Sequence, residues 1–229
     1  MMERNIMTEP PKYEGNNRGY PLALKMSAQL FSIIFHPLFI PVIATWYLAF
    51  IHQSYFTGIE PHDKLLIIIR VALNTIIFPG ATILLLKALG FIQSIFLKTQ
   101  RERIIPYVAS NIFYFWMYLV FRSQPEVPAI LTSFIFGVFL SSSVGLFANS
   151  YFKISMHALG LGTLCGLLLL IIFTRPPYSV FPGAMCVFII TGIVTTSRMI
   201  VSDHQPFDIY SGIFFGIACQ VIAALFVGI

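Results

Sequence analysis

Long apolar runs separated by short polar stretches dominate the chain. Seven runs, 27–51, 65–91, 104–121, 129–147, 158–174, 178–196 and 209–229, come near the roughly 20 residues a helix needs to cross a bilayer. None shows the strict alternation of a barrel strand, and backbone groups in lipid must pair inside their own element. The pattern therefore predicts an all-α fold, a polytopic membrane helical bundle with about six or seven transmembrane helices. The first run carries His36-Pro37 and Pro41, which predicts a kinked span. The second carries Arg70 near its start and Pro79-Gly80 in its middle. The fifth holds Gly162-x3-Gly166, a spacing that lets membrane helices approach closely. Pro125, Pro128 and Arg175-Pro176-Pro177 mark turns. Two units follow: a polar tail at 1–26 and a transmembrane domain at 27–229.

Composition sharpens this picture. Of 229 residues, 57% are hydrophobic and only 10% charged, where a soluble domain carries about 25%; the mean hydropathy is +0.83. The net charge is +5, but the basic residues are scattered between apolar runs. Anionic lipid and topology account for them, and nucleic acid is excluded as a partner. Cys165, Cys186 and Cys219 all lie inside apolar runs and read as packing residues, with no disulfide or metal spacing. The tail mixes charges with Pro10-Pro11 and Asn16-Asn17, and no apolar core begins before Ala28. It lacks the pattern of a secretory signal and is expected to have no fixed structure.

Three polar stretches hold more ionisable residues than a turn requires. They are Lys98-Thr-Gln-Arg101-Glu102-Arg103, then Lys153-Ile154-Ser155-Met156-His157, then Ser197-Arg198 through His204-Gln205-Pro206-Phe207-Asp208. Two spans separate each from the next, so all three should reach the same side of the membrane. Ser155 is placed to cap the fifth span. Pro206 suits the first position of the last helix, with Gln205 as cap and Asp208 at the third position, able to reach back toward His204. Two helix N-termini at one aqueous boundary attract an anion, phosphate above all.

The residue types suggest how such a group would be handled. Arg198, with Lys98 or Arg101, can offset charge on phosphoryl oxygens. His204, oriented by Asp208, is a suitable nucleophile, and His157 can supply a proton to a leaving alcohol. Neither a metal nor another cofactor is required.

The third stretch resembles, position for position, the S-R-x5-H-x3-D motif of the type-2 phosphatidic acid phosphatase superfamily, which also includes vanadium haloperoxidases. The resemblance implies phosphate binding by Arg198, a nucleophilic His204 and an orienting Asp208. Residues 154–157 resemble the family's P-S-G-H motif at Ser155 and His157, with Ile154 and Met156 in place of Pro and Gly. They imply a phosphate contact from Ser155 and a general acid in His157. Lys98 and Pro106 match the first motif, K-x6-R-P, but Ile105 stands where the family has Arg. Arg101, three residues after Lys98, is the candidate second clamp.

The expected function is a membrane lipid-phosphate phosphatase, metal-independent and working through a phosphohistidine. Its partners would be the bilayer and a lipid phosphate of the phosphatidate, phosphatidylglycerol phosphate or polyprenyl phosphate class. The alternatives are an impaired family member that binds or transports anionic lipids, and a lipid phosphotransferase. The expected location is a bacterial cytoplasmic (inner) membrane. The distribution of Lys and Arg leans the site toward the cytoplasm. His36, His52 and His62 read as structural or interfacial, Lys153 as a headgroup anchor, Arg70 and Asn74 as a snorkelling or interhelical pair, and Ser141-Ser142-Ser143 as helix packing.

Overall fold

The computed structural model describes residues 19–94, 100–174, 180–202 and 204–229, excluding the side chains of 100, 101, 103, 149 and 150. The first 18 residues of the tail, Lys98, Arg175-Pro176-Pro177 and Asp203 lie outside the described residues. All regular elements among those described are helical: α1 (Leu22–Ile34), α2 (Ile40–Trp46), α3 (Pro61–Ala72), α4 (Phe78–Ala88), α5 (Gln100–Arg122), α6 (Ala129–Tyr151), α7 (Met156–Thr174), α8 (Val180–Val201) and α9 (Pro206–Val227). A π-helical turn, Tyr47–Ile51, prolongs α2. A second, Leu73–Ile77, joins α3 to α4.

Six helices among the described residues are long and apolar enough to cross a bilayer: Pro61–Ala88, Ile104–Arg122, Ala129–Ala148, Met156–Thr174, Val180–Val201 and Pro206–Val227. The chain is a multi-pass membrane protein with an all-α bundle.

The first apolar run departs from expectation. It is not one kinked span but two short helices joined by a turn. Pro37 has no N–H and pushes His36 away from helical backbone geometry. The α1 ladder therefore stops at Phe35, whose N–H still reaches Phe31 O at 3.0 Å, and Phe39 N closes on His36 O at 2.9 Å. Pro41 then sits in the first turn of α2, where its missing N–H leaves no bond unmade. With 13 residues, α1 rises only about 20 Å, well short of a hydrocarbon core of about 30 Å. It packs against α8.

A milder disturbance marks the second run. Pro79 cannot donate to the carbonyl of Thr75, and the chain widens into the π turn Leu73–Ile77 just before it. Asn74 Nδ2 donates to Arg70 O at 2.9 Å, and Arg70 Nη1 to Gln124 Oε1 at 2.9 Å, tying this span to the α5–α6 turn. The third run also begins early. α5 starts at Gln100 and carries Pro106 inside it, so Arg101 belongs to its first turn.

At the centre is α7, apolar on every side, as a helix enclosed by others should be. It packs against α6, α8 and, most closely, α9. Its partnership with α9 is parallel. A Cβ at Gly162 would meet Ile213 O at 2.5 Å, one at Gly166 would meet Ile217 Cα at 3.2 Å, and one at Gly212 would meet Ala158 Cβ at 2.9 Å. At Gly216 it would strike the backbone of Leu159 and Gly162. Each helix thus brings a Gly-x3-Gly pair to the seam, and only a side chain of one hydrogen fits there.

Candidate functional site

The glycine seam sets the N-termini of α7 and α9 side by side. Ser155 N donates to Asp208 O at 3.1 Å, joining the second polar stretch to the third by a backbone hydrogen bond. Ser155 is fully buried, and its Oγ accepts from Ala158 N at 3.4 Å, the N-cap the sequence predicts for α7. Asp208 Oδ2 accepts from Gln205 N at 2.9 Å, closing the first turn of α9 behind Pro206. The same oxygen stands 3.3 Å from His204 Nδ1. Both side chains are nearly enclosed, at 8% exposure for His204 and 11% for Asp208. With Nδ1 turned to the carboxylate, Nε2 is the nitrogen left for chemistry.

His157 lies in the first turn of α7 and is buried. Its Nε2 stands 2.9 Å from Ser32 O. A carbonyl oxygen only accepts, so His157 carries its proton on Nε2. Arg198 occupies the last turn of α8, where a cation suits the helix dipole. Ser202 folds back over that turn, its Oγ donating to Arg198 O.

His157, Arg198 and His204 line one cavity of about 270 Å³. Its wall also takes in His36 and Pro37 from the turn before α2, Pro106 and Tyr107 from α5, and Ser141 and Ser142 from α6. The second and later turns of α5, the first turn of α7, the last turn of α8 and the loop before α9 thus meet in one place. Asp208 stands behind His204 and Ser155 behind the α7 terminus, outside the lining. Lys98 and the side chain of Arg101 lie outside the described residues, so the clamp expected from the first stretch is not located.

Electrostatics favour a neutral His204. The imidazole of His204 is pulled down from 6.5 to about 4, first by burial, then by the positive charges of Lys153 and Arg198, against the opposing pull of Asp208. Lys153, read from the sequence as a headgroup anchor, thus acts on the site as well.

His36 is the larger surprise. Its ring meets that of His157 edge-on, with centroids 5.3 Å apart and planes at 85°. Nothing in the local sequence marks it, because the contact spans more than a hundred residues. The signal that was available is Pro37, which forces the chain to turn there. The serine run of α6 has both a packing and a lining role, since Ser141 Oγ lies 2.7 Å from Thr163 Oγ1 at the cavity wall. Among the described residues no three His, Cys, Asp or Glu side chains form a metal-ligand group. No family model, curated protein or solved structure matches the chain.

Proposed function

We propose that this chain is a membrane-embedded lipid-phosphate phosphatase that works through a phosphohistidine at His204. One observation carries the reading: His157 from the first turn of α7, Arg198 from the last turn of α8 and His204 from the loop before α9 line a single cavity. Arg198 offsets charge on the non-bridging oxygens. His204 Nε2 attacks phosphorus, and the bond from phosphorus to the lipid oxygen breaks. His157 Nδ1, unprotonated at rest, takes the proton of the substrate's phosphate monoanion and gives it to the departing alkoxide, then takes one from the water that cleaves the phosphohistidine and returns it to the released phosphate. Because its Nε2–H is held by the Ser32 carbonyl, Nδ1 is the nitrogen that exchanges this proton. Asp208 fixes the His204 ring and offsets the positive charge it gains on attack.

A cavity opening near the membrane boundary suits substrates whose tails remain in lipid: phosphatidate, phosphatidylglycerol phosphate or a polyprenyl phosphate. A bacterial cytoplasmic membrane with the site on the cytoplasmic side is the setting we favour, from the distribution of Lys and Arg. The test is phosphate release from a panel of these lipids in mixed micelles. His204→Ala should lose at least about 100-fold in rate. Release unchanged in that variant would sink the mechanism. Binding without release from any lipid would instead favour a lipid-binding or lipid-transport protein.

A further inference from the structure

The turn between α1 and α2 does more than end a helix. It and the last turn of α1 before it engage the candidate general acid: Ser32 O, in α1, accepts from His157 Nε2 at 2.9 Å, and the His36 ring, in the turn, stands edge-on to the same imidazole. The approach is close on the other side too, since a Cβ at Gly160 would meet Ile40 Cδ1 at 3.0 Å and Pro37 Cβ at 3.5 Å. His36 Nδ1 accepts weakly from Leu38 N, at 3.4 Å. That bond places the proton of neutral His36 on Nε2. Among the described residues Nε2 has no hydrogen-bond partner, and His36 lines the cavity together with Arg198 and His204.

We propose that His36 is a third histidine of the phosphate site, its Nε2–H donating to a phosphoryl oxygen beside Arg198. The inference rests on the phosphate reading above and extends it to a part of the chain outside the three polar stretches. A donor that stays neutral binds the phosphoryl group without adding a cation next to His204, whose nucleophilicity depends on remaining unprotonated. The end of α1 holds His157 through Ser32, so α1 and the turn after it together complete the site and orient its acid.

Protection from diethylpyrocarbonate, read by mass spectrometry on the full-length protein in micelles, tests binding without requiring turnover. The probes are inorganic phosphate alone and micelles containing phosphatidate, with phosphatidylcholine micelles as blank. His62, whose side chain is 77% exposed, reports general reactivity. The expected result is joint protection of His36 and His204, with His62 unaffected. Protection by inorganic phosphate alone would show that the phosphoryl group suffices; protection by phosphatidate only would identify the lipid as its source. Either supports the assignment. Protection of His204 without His36, or of neither, overturns it.

Two variants separate a donor from a packing role. His36→Phe keeps the aromatic edge and removes the N–H; His36→Gln does the reverse. A donor to an anion predicts that His36→Phe loses roughly 10- to 100-fold in kcat/KM and that His36→Gln recovers most of it. The opposite order would mean that His36 only packs. Joint protection in a wild-type protein that releases no phosphate would remove the phosphatase reading and leave His36 in the binding site.

Discussion

Replacing Gly162 by Ala tests whether the α7–α9 seam holds the site together. The added Cβ would lie 2.5 Å from Ile213 O, 2.8 Å from its Cα and 3.0 Å from its carbonyl carbon. All three are backbone atoms, so no rotamer change can make room. Ordinary contact begins near 3.5 Å, so α7 and α9 must part by roughly an ångström. Overpacking of this kind costs about 1–3 kcal/mol. At about 2–4 °C per kcal/mol for a chain of this size, the midpoint of thermal unfolding should fall by several degrees. The same displacement stretches the 3.1 Å bond from Ser155 N to Asp208 O, so phosphate release should fall further than the loss of folded protein explains. Gly192→Ala is the control. It also lies in a helix, but nothing stands within 4 Å of its added methyl group, and Ala there should be neutral or stabilising by about 0.5–1 kcal/mol. The comparison is made on purified protein in one detergent, by unfolding midpoint and by initial rate. Equal midpoints and rates for the two variants would refute the seam as the element that positions the site.

Two further outcomes follow from the His204 environment. Asp208→Asn keeps an oxygen for Gln205 N but removes the charge opposite Nδ1, so the rate should fall at least about 100-fold while the unfolding midpoint barely moves; a variant retaining more than a tenth of the rate would end the orienting role. The acid limb of kcat/KM due to His204 should lie near pH 4, and Lys153→Gln should shift it upward by removing a cation; an unmoved limb would separate Lys153 from the site. Because the folded value lies below the unfolded one, the stability held by neutral His204 is complete above about pH 6.5 and lost as pH falls toward 4. Unfolding midpoints across that window check the sign, and a midpoint rising on acidification in a manner removed by His204→Ala would contradict it.

The features legible in the sequence are those with local causes. Spans show because each needs a continuous apolar run. The caps at Ser155 and Gln205 show because the capping residue and the turn it closes are neighbours in the chain. The His204–Asp208 pairing is legible because four residues return a side chain to the same face of a helix start. The break after α1 is only half legible. Two prolines announce a bend, but whether a bend becomes a turn depends on what Ser32 and His36 find across the bundle, and that partner is His157. The seam is similar. Gly162 and Gly166 stand out in an apolar run, but their meaning depends on Gly212 and Gly216, which a register between distant helices selects.

The seam has a consequence beyond packing. Parallel helices in contact set like dipole ends together, each equivalent to about half a positive charge, and the two ends repel. Lys153 and Arg198 add to that load at the same end of the pair. Backbone contact that only glycine permits keeps these charges from spreading apart. An anion in the cavity would relieve the repulsion, so ligand affinity and the tightness of the α7–α9 contact are thermodynamically linked, each strengthening the other. Four residues without side chains thereby help to fix how closely the two positive helix ends stand at the site.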